Sequence, residues 1–133
     1  MNLSKVFTTT RVVVSEEIDN LNHVNNVVYV QWVQDIATLH WQHLVKDINA
    51  DHLIWVLVKH EIDYIGQAIL NDEITLKTWV GETKGVKSVR HVEIFKENKL
   101  LAKSKTTWCL LDSKTLRPTR ITEEIFNLLS PSE

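Results

Sequence analysis

The sequence predicts one α+β domain, in which a five-stranded antiparallel sheet packs against a single long helix. Two observations carry this prediction: one long stretch has apolar residues three or four apart, and several other stretches alternate apolar and polar residues. The later alternating stretches are separated only by short polar turns. Short connections favour antiparallel pairing, so these strands are expected to form a meander with the helix on one face. The 133 residues suffice for one hydrophobic core, so residues 1–133 are expected to form a single domain.

The first half of the chain is predicted to contain a strand, a loop and the long helix. Val6–Val14 is rich in β-branched residues with period two and is predicted as a strand. The polar stretch Ser15–Asn26 favours a loop, because its short side chains bond nearby backbone. From about Asn26 to Lys46, apolar residues recur at helical spacing. Several valines lower the helix propensity there, but the apolar stripe is too long for one strand, so a helix is predicted.

The second half is predicted as four strands and a short helix. The strands are His52–Ile65, Glu73–Glu82, Lys87–Lys96 and Leu100–Leu111. The first of them has apolar side chains on both faces at its start, and that part is expected to be well covered. The side chains expected to share one of its faces are those of Ile54, Val56, Val58 and Ile62. A short C-terminal helix is predicted to open at Thr122-Glu123-Glu124 and to run to Leu129, with Thr122 or Thr119 as its cap.

Composition and charge exclude several classes of protein. Fifteen basic and seventeen acidic residues give a net charge of −2, whereas a general nucleic-acid binder carries a basic excess. No segment has about 20 consecutive apolar residues, so no membrane span is expected. Met1–Lys5 lacks the apolar segment of a secretory signal, and a cytoplasmic location is therefore expected. The single cysteine, Cys109, excludes an internal disulfide and a cysteine-based zinc site, and is expected to pack within a strand.

The polar loop before the long helix is expected to carry the chemistry. Asp19 lies a few residues before the helix start, where unpaired backbone N–H groups and the helix dipole create a positive potential. An acyl carbonyl bound there would have its developing oxyanion stabilised. The carboxylate would attack the carbonyl or activate water, and a thiolate leaving group with a pKa of about 8.5 needs little acid assistance. These groups are sufficient for thioester hydrolysis.

The same segment resembles a known family. Asp19, followed by His23-Val24-Asn25-Asn26 and then by Tyr29 and Trp32, is similar to the pattern of the hotdog-fold acyl thioesterases. The branch that it resembles contains 4-hydroxybenzoyl-CoA thioesterase, the YbgC-type acyl-CoA thioesterases and the plant acyl-ACP thioesterases. Weaker matches extend the resemblance over nearly the whole chain. They are Glu61–Ile65 with Asn71–Glu73, Ser88, and the tail Leu111–Pro118.

The resemblance implies a hotdog fold and an acyl-CoA thioesterase that releases a free carboxylic acid and CoA. By this resemblance, Asp19 is the catalytic nucleophile or general base, the backbone N–H of Asn26 polarises the carbonyl, and His23 helps to shape the site. The substrate-binding residues that it implies are Asn25, Tyr29, Trp32, Lys87, Ser88 and Arg90, with the last three on the CoA arm. It further implies a homodimer or a dimer of dimers that holds acyl-CoA, or an acyl carrier protein, between subunits. No metal or redox cofactor is implied.

Several residues have a second interpretation. Asp35 is an alternative catalytic carboxylate, because related enzymes place that group on this helix. Asn22 stands where bacterial members often have Gly, and Asn tolerates the left-handed conformation. Three groups of residues also fit purely structural roles. They are Lys77, Lys84, Lys87 and Arg90 as a solvated strand face, His40, His43 and His52 as side chains of a helix face rather than metal ligands, and Trp32, Trp41 and Trp55 as core rather than the lining of an acyl pocket.

Two other functions are compatible with the same pattern. The first is a catalytically silent hotdog protein that binds acyl-CoA or an acyl carrier protein. The second is a dehydratase of the same fold, which is disfavoured because its usual Asp/His or His/Glu helix signature is not evident. Hydrolysis in the presence of an intact Asp19 separates the enzyme from the silent binder.

Overall fold

The computed structural model describes residues 6–130, and its elements follow the predicted order. They are β1 (Phe7–Val12), α1 (Asn26–Leu44), β2 (Leu53–Tyr64), β3 (Glu73–Lys84), β4 (Lys87–Lys96), β5 (Lys99–Asp112) and α2 (Glu123–Leu129). The prediction about Met1–Lys5 lies outside the described residues. No helix within residues 6–130 has both the length and the apolar character needed to cross a bilayer.

All five strands form one antiparallel sheet in the order β1-β3-β4-β5-β2. This sheet, with one long and one short helix, is the predicted hotdog arrangement, so the fold-class prediction is confirmed. The predicted meander is correct for β3, β4 and β5 but wrong for β2, which pairs with β5 instead of β3. The link of residues 65–72 spans up to about 26 Å, whereas three strand spacings need only about 14 Å. Its length therefore does not determine the pairing.

The β2–β3 link is held over the start of α1. The backbone N–H of Ala68 donates to the hydroxyl of Tyr29 at 3.1 Å, and the carbonyl of Ala68 accepts from the N–H of Val24 at 2.9 Å. Near the end of the link, Asn71 has a φ of 72°, which gives the left-handed turn that leads into β3. The crossing from one edge of the sheet to the other is thus fixed against the loop that precedes the helix.

The core lies between α1 and one face of the sheet, in two clusters. The first surrounds the N-terminal half of α1 and contains Tyr29, Trp32, Val33, Ile36, Ile74, Leu76, Val92, Ile94 and Leu101. The second lies near the C-terminal half of α1, where α2 and the rings of Trp41 and Trp55 join Val80 and Leu110. Burial of one face of α1 stabilises a helix whose valines give it a low intrinsic propensity. The hydroxyl of Thr122 accepts from the N–H of Ile125 at 3.3 Å and identifies the cap of α2.

A β-bulge divides β2. The register with β5 shifts between Leu57 and Lys59, so Val58 is an extra residue. The prediction that Ile62 shares a face with Val58 is therefore wrong, because Ile62 packs against the core beneath α1. Both faces at the start of β2 were expected to be covered. On the face that points away from α1, however, Ile54, Val56 and Val58 are 37%, 39% and 50% exposed in this chain. Since β2 is also an edge strand, it presents an apolar, unpaired rim.

Candidate active site

Asp19 folds the loop before α1 into a closed turn. Its Oδ1 accepts hydrogen bonds from the backbone N–H groups of Leu21 at 2.9 Å and His23 at 3.3 Å. Its own N–H donates to the carbonyl of His23 at 2.8 Å, which closes the turn from the other side. Asn22 at the tip has a φ of 64°, the left-handed conformation that its side chain tolerates. Both side-chain bonds use Oδ1, and Oδ2 accepts no hydrogen bond from the described residues.

The turn leads directly into the start of α1. Ile18 and Val24 form an isolated β-bridge, and the N–H of Asn25 donates to the carbonyl of Glu17 at 2.9 Å. Asn25 is the N-cap, since its Oδ1 accepts from the N–H of Val27 at 3.1 Å. Asn26 is the first helical residue, and its N–H has no acceptor within the helix. The Asp19 carboxylate and a helix N-terminus are therefore built by one continuous segment.

Tyr29 lies inside the protein behind this segment. Its hydroxyl accepts from the Ala68 N–H, and its ring packs edge-on against Trp32 and Tyr64 at centroid distances of 5.2 and 5.7 Å. Burial raises the pKa of the Tyr29 hydroxyl, which stays protonated. Tyr64 in turn donates to the carbonyl of Asn26 at 3.2 Å, which attaches the end of β2 to the start of α1.

Glu17 organises a cluster that the sequence analysis missed. Its Oε2 accepts from the guanidinium of Arg11 and from the indole N–H of Trp32 at 3.0 Å, and its Oε1 accepts from the N–H of Val14 at 3.0 Å. Arg11 also stacks over the Trp32 ring at 4.8 Å. These partners come from β1, the loop and α1, so no local pattern indicates them. Trp32 is thereby fixed in the core beside the loop.

Asp35 lies away from the helix start. It is nine residues beyond Asn26, which places it about 13 Å further along the axis. Its side chain is exposed and accepts from Gln31 at 2.8 Å. Together with Arg11 and Trp32, it lines a groove of about 490 Å³ between α1 and β1. The structure thus brings Asp19, and not Asp35, to the N-terminus of α1.

Ser88 and Arg90 line a separate cavity of about 240 Å³. It lies between the C-terminal half of α1 and the start of β2, and its aromatic walls are Trp41, Trp55 and Trp108. Two of the three tryptophans considered for a pocket are therefore found here, whereas Trp32 lies elsewhere. Lys87 is exposed at the start of β4, so it does not share the buried environment of Ser88 and Arg90.

Arg90 points into the protein and has no acidic partner. The side chain is 6% exposed, and no carboxylate within residues 6–130 forms an ion pair with it. Its Nη1 donates to Nδ1 of His40 at 2.7 Å and to the hydroxyl of Thr78 at 3.0 Å. Burial lowers the pKa of Arg90 to about 10. The interpretation of Arg90 as part of a solvated strand face is wrong, because its side chain is on the helix-facing side of β4.

The remaining candidates have structural surroundings. His40 and His43 both lie against the ring of Phe7, at 5.0 and 5.6 Å between centroids. His52 is exposed, and among the described side chains no three His, Cys, Asp or Glu residues are arranged to hold a metal ion. Cys109 is buried within β5 as a free thiol.

Many solved structures resemble this one, and three of them do so over most of their length as follows. A predicted thioesterase from Bacillus stearothermophilus superposes with a TM-score of 0.84 at 22% identity, covering 93% of each chain. A hypothetical protein from Staphylococcus aureus, solved in complex with CoA, gives 0.83 at 18% identity, covering 92% of this chain and 80% of the other. A 1,4-dihydroxy-2-naphthoyl-CoA thioesterase from Synechocystis gives 0.74 at 14% identity, covering 93% and 95%. At these identities the comparison establishes the fold.

The sequence comparison identifies the family. No curated protein matches the chain significantly in sequence. Residues 4–129, however, match the acyl-ACP thioesterase N-terminal domain. Family and fold together support thioester hydrolysis, in agreement with the resemblance found in the sequence. The chain belongs to the acyl-ACP thioesterase N-terminal domain family.

Proposed function

We propose that the protein is an acyl-CoA thioesterase with Asp19 as its catalytic carboxylate. The observation that carries this proposal is the closed turn in which Oδ1 of Asp19 is held by two backbone N–H groups directly before the start of α1. One carboxylate oxygen is anchored, and Oδ2 remains for reaction. The Asn26 N–H at the start of α1 would polarise the thioester carbonyl, while His23 and Asn25 fix the loop geometry.

Thioester hydrolysis needs only these groups. In one route, Oδ2 takes a proton from water, the resulting hydroxide oxygen bonds to the carbonyl carbon, and the C–S bond breaks. In the other route, Oδ2 itself attacks the carbonyl, and water later hydrolyses the resulting anhydride. The thiolate of CoA leaves in both, and the Asn26 N–H stabilises the intermediate oxyanion. Hydrolysis of a stoichiometric amount of substrate in ¹⁸O-water identifies the second route when ¹⁸O appears in the Asp19 carboxylate, because water has then attacked the Asp19 carbonyl carbon of the anhydride and released the acyl group as its carboxylate.

CoA is proposed as the carrier because one structural neighbour was solved with CoA and another is a CoA thioesterase. The exposed ammonium group of Lys87 is proposed to contact a phosphate of the CoA arm. Ser88 and Arg90 face the cavity instead, which suits contact with the acyl group. Tyr29 and Trp32 support the loop from the core.

We also propose that two copies of the chain complete each site. The cavity contacts α1 at Ala37–Trp41, about 17 to 22 Å from Asn26 along the helix, so a short acyl group cannot reach both within one chain. The apolar rim of β2 can pair antiparallel with β2 of a second copy about an axis normal to the sheet. Such pairing places the start of one β2 beside the end of the other. Because Tyr64 attaches that end to Asn26, the second copy's catalytic loop would face this cavity.

An Asp19→Asn variant tests the catalytic assignment. We expect turnover to fall by several orders of magnitude with near-normal acyl-CoA binding, since the amide keeps the size of the side chain but is neither a nucleophile nor a base. Asp35→Asn is the matched control and should retain activity. Full activity in Asp19→Asn would transfer the chemistry to Asp35 or another group. A native protein that hydrolyses no member of a broad thioester panel would support the catalytically silent binder.

The interface has its own test. Val56→Lys places a charge on the apolar rim of β2 and should yield monomers without thioesterase activity. Val12→Lys makes the same change at the 50% exposed Val12 on the opposite edge of the sheet and should leave the dimer intact. Size-exclusion chromatography with light scattering measures the outcome, and an active Val56→Lys monomer would refute the shared site.

A further inference from the structure

We propose that the cavity at Arg90 binds the distal carboxylate of a short dicarboxylic acyl thioester, with the Arg90 guanidinium as its counter-ion. This inference rests on the proposed thioesterase function and specifies its substrate class. It concerns the end of the acyl group remote from the thioester, which lies in the cavity while the thioester lies at the catalytic loop of the second copy.

The charge of Arg90 is uncompensated within the described chain. A buried guanidinium in a folded protein is normally paired with a carboxylate, because desolvation of an isolated charge costs several kcal/mol. Here the Nη1 group has two acceptors, His40 and Thr78, and neither is a carboxylate. Since Nη1 can only donate, Nδ1 of His40 accepts this hydrogen bond. The surroundings therefore solvate the cation without neutralising it.

Arg90 lines a cavity that is otherwise largely apolar. Aromatic and aliphatic side chains also line it, including Trp41, Trp55 and Leu53. Ser88 is the polar neighbour on β4, and its hydroxyl is hydrogen-bonded to Thr83 at 2.7 Å. A hydrocarbon chain fits the apolar wall, and only its tip needs an anionic group. The combination indicates an acyl chain that is apolar along its length and charged at its end.

The cavity of about 240 Å³ is small, so a short acyl chain is proposed. Glutaryl has eight non-hydrogen atoms, and succinyl and adipyl have one fewer and one more. A carboxylate is preferred to a hydroxyl at the tip because it supplies both the acceptor oxygens and the missing charge, in a geometry that matches the guanidinium.

The experiment compares glutaryl-CoA with 5-methylhexanoyl-CoA, in which an isopropyl group replaces the carboxylate at equal size. We expect kcat/KM of the native protein to favour glutaryl-CoA about 100-fold, because the neutral analogue leaves Arg90 unpaired. Arg90→Met should abolish or reverse this preference. Lys105→Met removes a cation from the exposed face of the neighbouring strand β5 and should preserve it. An equal rate for both substrates, or a preference for the neutral one, overturns the proposal.

Binding separates this inference from the proposed function. Quenching of tryptophan fluorescence in the Asp19→Asn variant reports acyl-CoA binding without turnover, since three tryptophans line the cavity. Tighter binding of glutaryl-CoA than of 5-methylhexanoyl-CoA supports the inference, even if the native protein hydrolyses neither thioester. Absence of hydrolysis would refute only the proposed thioesterase activity. Equal binding of glutaryl-CoA and 5-methylhexanoyl-CoA overturns the inference about Arg90, whatever the hydrolysis rates are.

Discussion

Nη1 of Arg90 lies 2.7 Å from Nδ1 of His40 in the layer between the sheet and α1. This contact joins the middle of β4 to the C-terminal half of the helix through two side chains that each have an aromatic or apolar environment. His40 is stacked on Phe7 with an interplanar angle of 15°, and Arg90 borders the tryptophan-lined cavity. The core therefore contains the charge of Arg90, and no carboxylate in the described chain pairs with it. This unpaired charge should affect the stability of the fold.

Arg90→Met should leave the protein at least as stable as the native form. The lowered pKa of Arg90 means that the folded state disfavours the charged guanidinium at all pH values below about 10, so the charge destabilises the fold at neutral pH. Methionine fills similar space without that cost, and similar replacements of buried ionic groups are neutral or stabilising by about 1 to 4 kcal/mol. Urea denaturation at pH 7 measures the free energy of unfolding.

His40→Leu provides the contrast, because it removes an acceptor and leaves Arg90 buried with fewer partners. Here we expect a loss of about 1 to 3 kcal/mol. In the double variant, Arg90→Met should restore most of the loss, since no donor is then left unpaired. A large destabilisation by Arg90→Met alone would show that the guanidinium is compensated in the folded protein.

Asn22→Ala should destabilise the catalytic loop. The φ of 64° at this position costs most residues about 1 kcal/mol or more, which Asn reduces and Gly avoids. Asn22→Gly should therefore retain both stability and activity. In Asn22→Ala, strain in the turn displaces the Asp19 carboxylate, and kcat should fall further than substrate binding. Thermal unfolding and steady-state kinetics of the pair measure this, and identical behaviour of Ala and Gly would argue against a conformational requirement.

Glu17→Gln should cost about 2 kcal/mol, although Glu17 is not expected to contact substrate. Its carboxylate accepts hydrogen bonds from Arg11, Trp32 and the N–H of Val14. An amide at this position loses the negative charge, and its NH₂ group faces these N–H donors without forming a hydrogen bond to them. Among the described residues, the side chain of the adjacent Glu16 is hydrogen-bonded only to the exposed Ser15, so Glu16→Gln should change stability by less than about 0.5 kcal/mol. Equal effects of the two substitutions on urea unfolding would show that the Glu17 cluster is not a stabilising unit.

The free energy of unfolding should decrease as the pH falls below about 6.5. Burial lowers the pKa of His60, and burial together with the positive charge of Lys105 lowers that of His91. The unfolded chain then binds more protons than the folded protein in this range, so acid favours unfolding, whereas above pH 6.5 both states are neutral at these groups. Unfolding curves between pH 5 and 8 test this. His60→Gln and His91→Gln should each flatten the profile, and an unchanged slope in both would contradict the assignment.

The sequence was sufficient for the kind and order of the elements, because these depend on local periodicity. The spacing of apolar residues placed the start of the long helix at Asn26, as observed, and alternation in β4 placed Arg90 on the same side as Val92 and Ile94. That alternation already opposed a solvated position for Arg90. Charged side chains are nevertheless usually exposed, and the partners that hold Arg90 inside, His40 on α1 and Thr78 on β3, are distant in sequence.

Features that depend on distant partners were not predictable in the same way. The pairing of β2 with β5, the bulge at Val58 and the cluster around Glu17 each join segments far apart in sequence. No residue in β2 distinguishes a continuous strand from a bulged one, so the period-two pattern assigned Ile62 to the wrong face. The Asp19 loop could be recognised because its polar residues and the helix N-terminus are consecutive in the chain. The cavity at Arg90 could not, since α1, β2, β4, β5 and α2 all contribute to it.

A complementation experiment tests whether Asp19 of one copy acts on an acyl group held in the cavity of another. Asp19→Asn disables the catalytic loop, and Thr38→Trp, at an exposed position on α1 that lines the cavity, should block acyl binding. Each variant alone should be nearly inactive. If the subunits are mixed and allowed to exchange, half of the dimers contain one of each, and one of their two sites combines an intact loop with an open cavity.

The mixture should then recover about a quarter of the native activity per subunit, measured by thiol release from the acyl-CoA. Mixing Asp19→Asn with Asp19→Ala supplies the control, because no combination of those subunits restores a carboxylate. If loop and cavity acted within one chain, every site in the mixture would carry one defect. No recovery, with subunit exchange verified by native mass spectrometry, would therefore place the whole site in a single chain and refute the shared arrangement. Recovery of activity, in contrast, requires that the catalytic loop of one subunit acts on an acyl group held in the cavity of the other.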